Sequence, residues 1–399
     1  EVSTFEALKQ AVSDKATDIV VTQDIELTET LSVSGTVTIR SQEDSVFTLK
    51  RSASFTPTSD NTDYRFKLDY GADLTFRNII LDGNKEAGQA KNGFFRVNNT
   101  KAKLTLGQGA TIQNCSAING GSAISLVRGS VVMEEGSAIK DCTNTSNGGG
   151  IYIYRKPDWS RDEDTASFTM KGATISGCSS TGTSADYSQG GAIYAYGRVN
   201  LDIKNSTITG NSAKTNHTST SDIGCGGGVY GKDATITING GAITGNKATN
   251  AGGLYTSSGK LTIDGATING NTATNAGGGL FLGKGQGFFR FVLRLGRILG
   301  FQRAGLGLRN RLFRLLLRRF QLSRQLNIRA GDCFMLRLQF CQCCFGIGQL
   351  GRQLFHLCLQ RRFRFGQLGR QFFHLCLQRC FRFGCCLGGG FRFQLCFCF

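Results

Sequence analysis

The first 285 residues hold a single histidine, His217, and no stretch apolar enough and long enough to cross a bilayer. The first absence leaves no histidine cluster for a metal or a nucleophile's partner. The second leaves no membrane span in that part. Residues 286–399 lack Lys, Thr, Tyr, Glu, Pro and Trp altogether and carry one acid, Asp332, against 20 Arg. A segment of that kind cannot present the mixed-charge surface of a soluble domain. The whole-chain charge of +18 therefore belongs to the C-terminal part, because residues 1–285 carry 26 Lys and Arg against 27 Asp and Glu. On charge alone the first part is not a nucleic-acid or membrane binder. Cysteine divides the same way, four before 286 and eleven after it. The first residue is Glu1, not Met, so the expectation is a fragment or a processed form, the latter with a signal peptide already removed.

What the first part does contain is one phrase written repeatedly. It reads ADLTFRNIILDGN at 72–84, AKLTLGQGATIQNC at 102–115, GSVVMEEGSAIKDC at 129–142 and ASFTMKGATISGC at 166–178. It continues as VNLDIKNSTITGN at 199–211, ATITINGGAITGN at 234–246 and GKLTIDGATINGN at 259–271. Each copy alternates apolar and polar residues, which is the strand period, and breaks at Gly, Asn or Asp. Between copies comes a glycine run followed by an apolar residue and often Tyr: GGSAI from Gly120, GGGIYIY from Gly148, GGAIYAY from Gly190, GGGVY from Gly226, GGLY from Gly252 and GGGLF from Gly277. Each unit thus supplies about three short strands.

Successive closing residues, at 115, 142, 178, 211, 246 and 271, lie 27, 36, 33, 35 and 25 residues apart. The shortest unit is too small to bury a core alone and must stack on its neighbours. No unit has room for a helical pair. The longer units carry their extra residues at corners, 155–165 and 180–189. This describes an all-β chain, a parallel β-helix over 18–285. In it Cys115, Cys142, Cys178, Asn211, Asn246 and Asn271 form one structural column at roughly 4.8 Å spacing, the Asn side chains bonding along the axis. The competing role for its thiols is a metal or redox site.

Residues 1–17 read as a cap. STFEALKQAVSD (3–14) has a capping-box pattern, Ser3 with Glu6, and an apolar stripe of Phe5, Leu8 and Val12. A short helix there would cover the open end of the first coil. This cap, the run IVVTQDIELTETLSVSGTVTI at 19–39 and the repeated ITGN-x-A…GG-x-Y together resemble the pectin-lyase-like right-handed parallel β-helix proteins. Among them they look most like bacterial surface and adhesin repeat proteins of the polymorphic outer-membrane type. The phrase here is I-x-G-N, where that type is Phe-led. The resemblance spans about 1–283 and implies a right-handed, single-stranded solenoid. It also implies a secreted or cell-surface adhesin or stalk, non-catalytic, without cofactor, contacting glycans or partner proteins.

The alternative on the same fold is a carbohydrate-active enzyme, foremost a polysaccharide lyase. Lyases of this fold need calcium-binding acids with an Arg or Lys base, and hydrolases need paired carboxylates. The sequence has no Asp-Asp pair and no Gly-His-Gly. Its densest acidic cluster is Asp158, Arg161, Asp162, Glu163 and Asp164 beside Trp159, at the 155–165 corner. Such acids can bind calcium and such a Trp can stack on a sugar. A solvated charged loop is the blander reading and carries more weight. Asp82, Lys85 and Glu86 have the same status. Tyr152, Tyr194, Tyr230 and Tyr255 form either an exposed glycan-stacking strip or a structural aromatic stack. The Asn-x-Ser/Thr triplets at 98, 144, 205 and 216 are expected by chance in so Asn- and Thr-rich a chain.

Residues 286–399 repeat with an 18-residue period, GQLGRQLFHLCLQRRFRF at 348–365 and GQLGRQFFHLCLQRCFRF at 366–383. His356 with Cys358, His374 with Cys376, and CQCC at 341–344 look like metal motifs without a framework. The Arg–Phe interleaving is also compatible with nucleic-acid or membrane contact, so a basic nucleic-acid-binding tail is a third possibility. A restricted alphabet of Phe, Leu, Gly, Arg, Cys and Gln is what an antisense or misjoined reading of an Ala/Glu/Lys/Gln-rich helical segment would produce. That is the expectation for this tail, with no native fold and no specific nucleic acid.

Overall fold

The computed structural model describes residues 1–55, 63–155, 165–182, 188–215 and 224–283, all inside the unit Glu1–Gly296. They form a parallel β-helix with three sheets, of 16, nine and six strands among the described residues. A complete coil uses four strand segments, one more than the repeats suggest. In one coil these are Ile193–Gly197, Val199–Lys204, Thr207–Thr209 and Ser212–Thr215. The first two share the 16-stranded sheet and are separated by a bend at Arg198; the segment the repeats did not show is Ser212–Thr215, which follows the closing Asn211.

Alternation sets the two faces. In Val199–Lys204 the residues Val199, Leu201 and Ile203 are buried, while Asn200, Asp202 and Lys204 face out. Neighbouring coils repeat this in register, so like residues stack. In the second sheet Ile112, Ile139, Ile175, Ile208 and Ile243 form one buried column. Each buried side chain of this kind contributes about 1.5–3 kcal/mol.

The turn before each column-closing residue explains the Gly-Asn, Asn-Cys and Asp-Cys pairs. Asn114, Asp141, Gly177, Gly210, Gly245 and Gly270 all have a left-handed backbone, with φ between 52° and 66°. Only Gly, Asn and Asp take that conformation readily. The residue after it enters the column. Asn211 Nδ2 donates to Asn246 Oδ1 at 2.9 Å, and Asn246 Nδ2 donates to Asn271 Oδ1 at 2.9 Å. The Cys178 amide donates to Asn211 Oδ1 at 2.8 Å, joining the thiol half of the column to the amide half. The glycine runs have a second cause. Gly190 is left-handed at φ 68°, and a Cβ on Gly191 would overlap the Gly227 carbonyl oxygen of the next coil.

The cap is a helix, Phe5–Ser13, with Phe5, Leu8 and Val12 buried. Its N-cap is Thr4, whose hydroxyl accepts from the Ala7 amide at 3.2 Å, so the Ser3–Glu6 capping box does not form. The helix starts one residue too late for Ser3, whose carbonyl instead accepts from the Gln23 amide group. No helix among the described residues is long and apolar enough to cross a membrane.

Candidate functional site

The outward positions of the 16-stranded sheet carry the site. Two segments, Phe66–Leu68 and Phe95–Leu106, begin with the same pattern: an inward Phe, an outward cation, an inward aliphatic residue. They pair in register, Phe66 with Phe95, Lys67 with Arg96 and Leu68 with Val97. Lys67 and Arg96 therefore project side by side from adjacent strands. Beneath them Phe66, Phe76, Phe94 and Phe95 pack at ring separations of 5.3–6.0 Å, a rigid floor.

The approach to Lys67 is fixed by a buried ion pair. Arg65 Nη2 lies 2.6 Å from Asp63 Oδ1, with both side chains almost wholly buried. Asp63 Oδ2 also accepts the amides of Lys91 at 2.7 Å and Asn92 at 3.0 Å, tying the two coils together. Burial lowers the Arg65 guanidinium to about 10, opposed by Asp63, so it stays charged at neutral pH.

Above this floor lies a cleft of about 400 Å³ lined by Lys67, Leu68, Asp69, Tyr70, Arg96, Asn98 and Asn99. Asn99 Nδ2 donates to the Leu68 carbonyl at 2.7 Å, which fixes that wall. Tyr70 is 65% exposed, and Lys101 Nζ stands 5.6 Å from its ring centre. The Arg96 guanidinium sits 5.5 Å from the ring of the buried Tyr64. Burial pushes the Tyr64 phenol above its ordinary value, against the opposing pull of Arg96 and of its contact with Ser125. Among the described residues neither Lys67 nor Arg96 forms an ion pair. Like charges directly opposite each other on paired strands repel. The arrangement is complementary to an anion that bridges both.

The same outward column continues along the sheet. After Arg96 come Ser125, Tyr152, Tyr194, Tyr230, Tyr255 and Phe281, each paired in register with the next. Tyr152 to Phe281 form one stack, with centroid separations of 5.0–5.4 Å and interplanar angles of 2–9°. Tyr194, Tyr230 and Tyr255 are 8, 3 and 1% exposed. Their faces are taken by neighbouring rings and their edges by Cys225 and Ala251, so they do not form an exposed strip. Stacking geometry buried them: rings one strand apart fill each other's free faces. Burial, then Tyr154 and Tyr64, push the Tyr152 phenol up to about 12.

The remaining expected residues fall elsewhere. Asp158, Trp159, Arg161, Asp162, Glu163 and Asp164 lie outside the described residues, as do His217 and all of 284–399. Asp82 is buried and accepts from the Asn84 amide at 2.7 Å and from Gln113 and Asn114 at 2.9 Å, a turn-forming role. Lys85 and Glu86 lie on a short 3-10 turn, Lys85–Ala87, in the next segment. Cys115, Cys142 and Cys178 are unbridged and buried. Burial, then the Cys142 thiol, hold Cys115 well above the ordinary thiol range, so it stays protonated. No group of three or more His, Cys, Asp or Glu side chains among the described residues could hold a metal ion. The cleft residues were not singled out by repeats or charge runs. Their signal was the matched pair Phe66-Lys67-Leu68 and Phe95-Arg96-Val97, two copies of one pattern with a cation at the outward position.

No protein-family model matches the chain. No curated protein matches it. Among solved structures, an alginate lyase from Paenibacillus sp. str. FPU-7 is similar at 15% identity and a TM-score of 0.37, covering 71% of this chain and 97% of that one. A likeness at that level bears on neither substrate nor activity.

Proposed function

We propose that this chain is an extracellular or cell-surface β-helix that binds an acidic glycan in the cleft over Lys67 and Arg96, as an adhesin or stalk would. The observation that carries this reading is the in-register pair of cations without an ion-pair partner among the described residues, at the mouth of a cleft lined by Asn98, Asn99 and Tyr70. A carboxylate or sulfate placed between them relieves their repulsion and accepts charge-assisted hydrogen bonds. The Asn side chains offer donors and acceptors to sugar hydroxyls, and the exposed Tyr70 offers a ring edge or face. Charge on one localised face of an otherwise near-neutral solenoid also favours a ligand over general stickiness.

The test is titration of the full chain with a polyuronate and with its carboxyl-reduced form. Saturable binding of the acidic polymer, lost in Lys67→Ala/Arg96→Ala, supports the reading. Equal binding of both polymers, or binding unchanged in that variant, sinks it.

Cleavage is the second reading, favoured by the company the cations keep. A lyase needs a cation on the uronate carboxylate and a base for the adjacent C–H. Lys67, Arg96 and the Tyr70 phenol bring such groups to one cleft. Formation of unsaturated uronate, followed by ultraviolet absorbance and abolished by Lys67→Ala, would move the protein to this class. Binding without product keeps it with the adhesins.

A further inference from the structure

A second outward column runs beside the first and stays open where the first is sealed. Tyr154, Tyr196, Lys232 and Ser257 follow one another in register on successive strands, two residues along from Tyr152, Tyr194, Tyr230 and Tyr255 of the first column. Tyr154, Tyr196 and Lys232 are all half-buried, unlike Tyr194 and Tyr230 beside them. The Tyr154 and Tyr196 rings lie 5.4 Å apart at 34° to each other, a tilted pair rather than a closed stack. Lys232 Nζ stands 5.6 Å from the Tyr196 ring centre. The sheet order from Arg96 to Lys232 crosses four strand-to-strand steps, about 19 Å at ~4.8 Å each.

We infer that Tyr154, Tyr196 and Lys232 form a second sugar subsite, continuous with the cleft, so that the ligand is an extended acidic oligosaccharide laid along the solenoid axis. This rests on the cleft reading and adds the ligand's length and direction to it. Three observations carry it. The column lies two residues along from the first, which runs in register from Arg96 of the cleft through Ser125 and Tyr152 to Tyr230. Its charged member in that stretch, Lys232, has the sign of the cleft's own pair. Its two aromatic rings are half-buried rather than sealed, Tyr154 lying 5.9 Å from the Tyr152 ring and Tyr196 tilted against Tyr154. A tilted Tyr pair with an amine over one face suits a sugar ring bearing an anionic group, by stacking and by charge.

The experiment is calorimetric titration of the full chain with uronic-acid oligomers of graded length. The shortest oligomers reach only the cleft; longer ones reach Tyr196. Affinity is expected to rise at least tenfold once the oligomer spans both. Tyr196→Ala and Lys232→Ala should each remove most of that gain while leaving the shortest oligomer's affinity unchanged. Lys232→Ala guards against a folding artefact, since the side chain is half-exposed and outside the ring stack. Arg96→Ala should weaken all lengths alike. Affinity flat with length, or a gain that persists in both variants, overturns the subsite and leaves the cleft standing. No binding of any length overturns the cleft reading and the subsite with it.

Discussion

One outward column of the first sheet behaves in opposite ways at its two ends. At Lys67 and Arg96 it sets two cations one strand apart over an open cleft. At Tyr194, Tyr230 and Tyr255 it sets aromatic rings one strand apart in a sealed stack. The backbone geometry is the same, and the side chains decide whether it stores repulsion or attraction. Rings at this spacing satisfy one another and leave nothing for a ligand. Cations at this spacing are satisfied only by something added. The end of this face proposed to bind a ligand is therefore the end whose stacking is unfavourable.

The largest expected break in this comparison is Tyr230→Ala. It opens a gap between two rings and should cost about 3–5 kcal/mol, against less than ~1 kcal/mol for Arg96→Ala, by urea unfolding. Equal losses for the two would mean the column's ends do not differ as described. Next is Asn246→Ala, which strands the Asn211 amide and side chain and the Ile208 carbonyl. Its expected cost is roughly 2–3 kcal/mol. Cys142→Ala should cost less, because beyond a 3.3 Å contact with the Lys140 carbonyl its thiol meets the thiols of Cys115 and Cys178, which are weak hydrogen-bonding partners. A thermal melt ranking Cys142→Ala above Asn246→Ala would reverse the assignment of the column's stronger half.

Lys67→Glu sharpens the comparison from the other side. It turns a repulsive pair into an attractive one and should stabilise the fold by about 0.2–1 kcal/mol while abolishing polyuronate binding. Loss of stability together with loss of binding would mean that Lys67 is structural.

The smallest effect is a pH dependence at the stack's open end. Tyr152 has its phenol raised by burial to about 12, from an ordinary value of 10.0. The unfolded chain ionises this group first, so its contribution is complete below pH 10 and falls as pH rises toward 12. Alkaline titration of tyrosinate absorbance should show a late-ionising fraction that is lost in Tyr152→Phe. Ionisation of all tyrosines near their ordinary value would contradict the burial described here.

Much of the scaffold was legible in the residues. The spacing of Cys115, Cys142 and Cys178 with Asn211, Asn246 and Asn271 marks one column, because each follows a turn residue that must be left-handed. The cap's buried stripe was legible too, but its N-cap was not. Ser3 and Thr4 are both competent, and only the helix's start decides between them. The segment after the closing residue, Ser212–Thr215 in one coil, was hidden because Ser-Ala-Lys-Thr buries a single small side chain, Ala213, and shows no apolar alternation. Tyr194, Tyr230 and Tyr255 could be read as a row but not as a buried one, since exposure depends on Cys225 and Ala251 beside them. Of the candidate site, the acidic corner at 158–164 was conspicuous in sequence and lies outside the described residues. The cleft was inconspicuous, two isolated cations in different repeats.

The sequence alone thus determined the coil, its inward columns and its left-handed turns. Those depend on alternation and on which residue types tolerate positive φ, both local properties. Only the tertiary structure decided that Lys67 meets Arg96 while Tyr194 meets Tyr230. Register between coils depends on the number of residues each corner absorbs, and that number is fixed by packing around the whole turn rather than by any one segment.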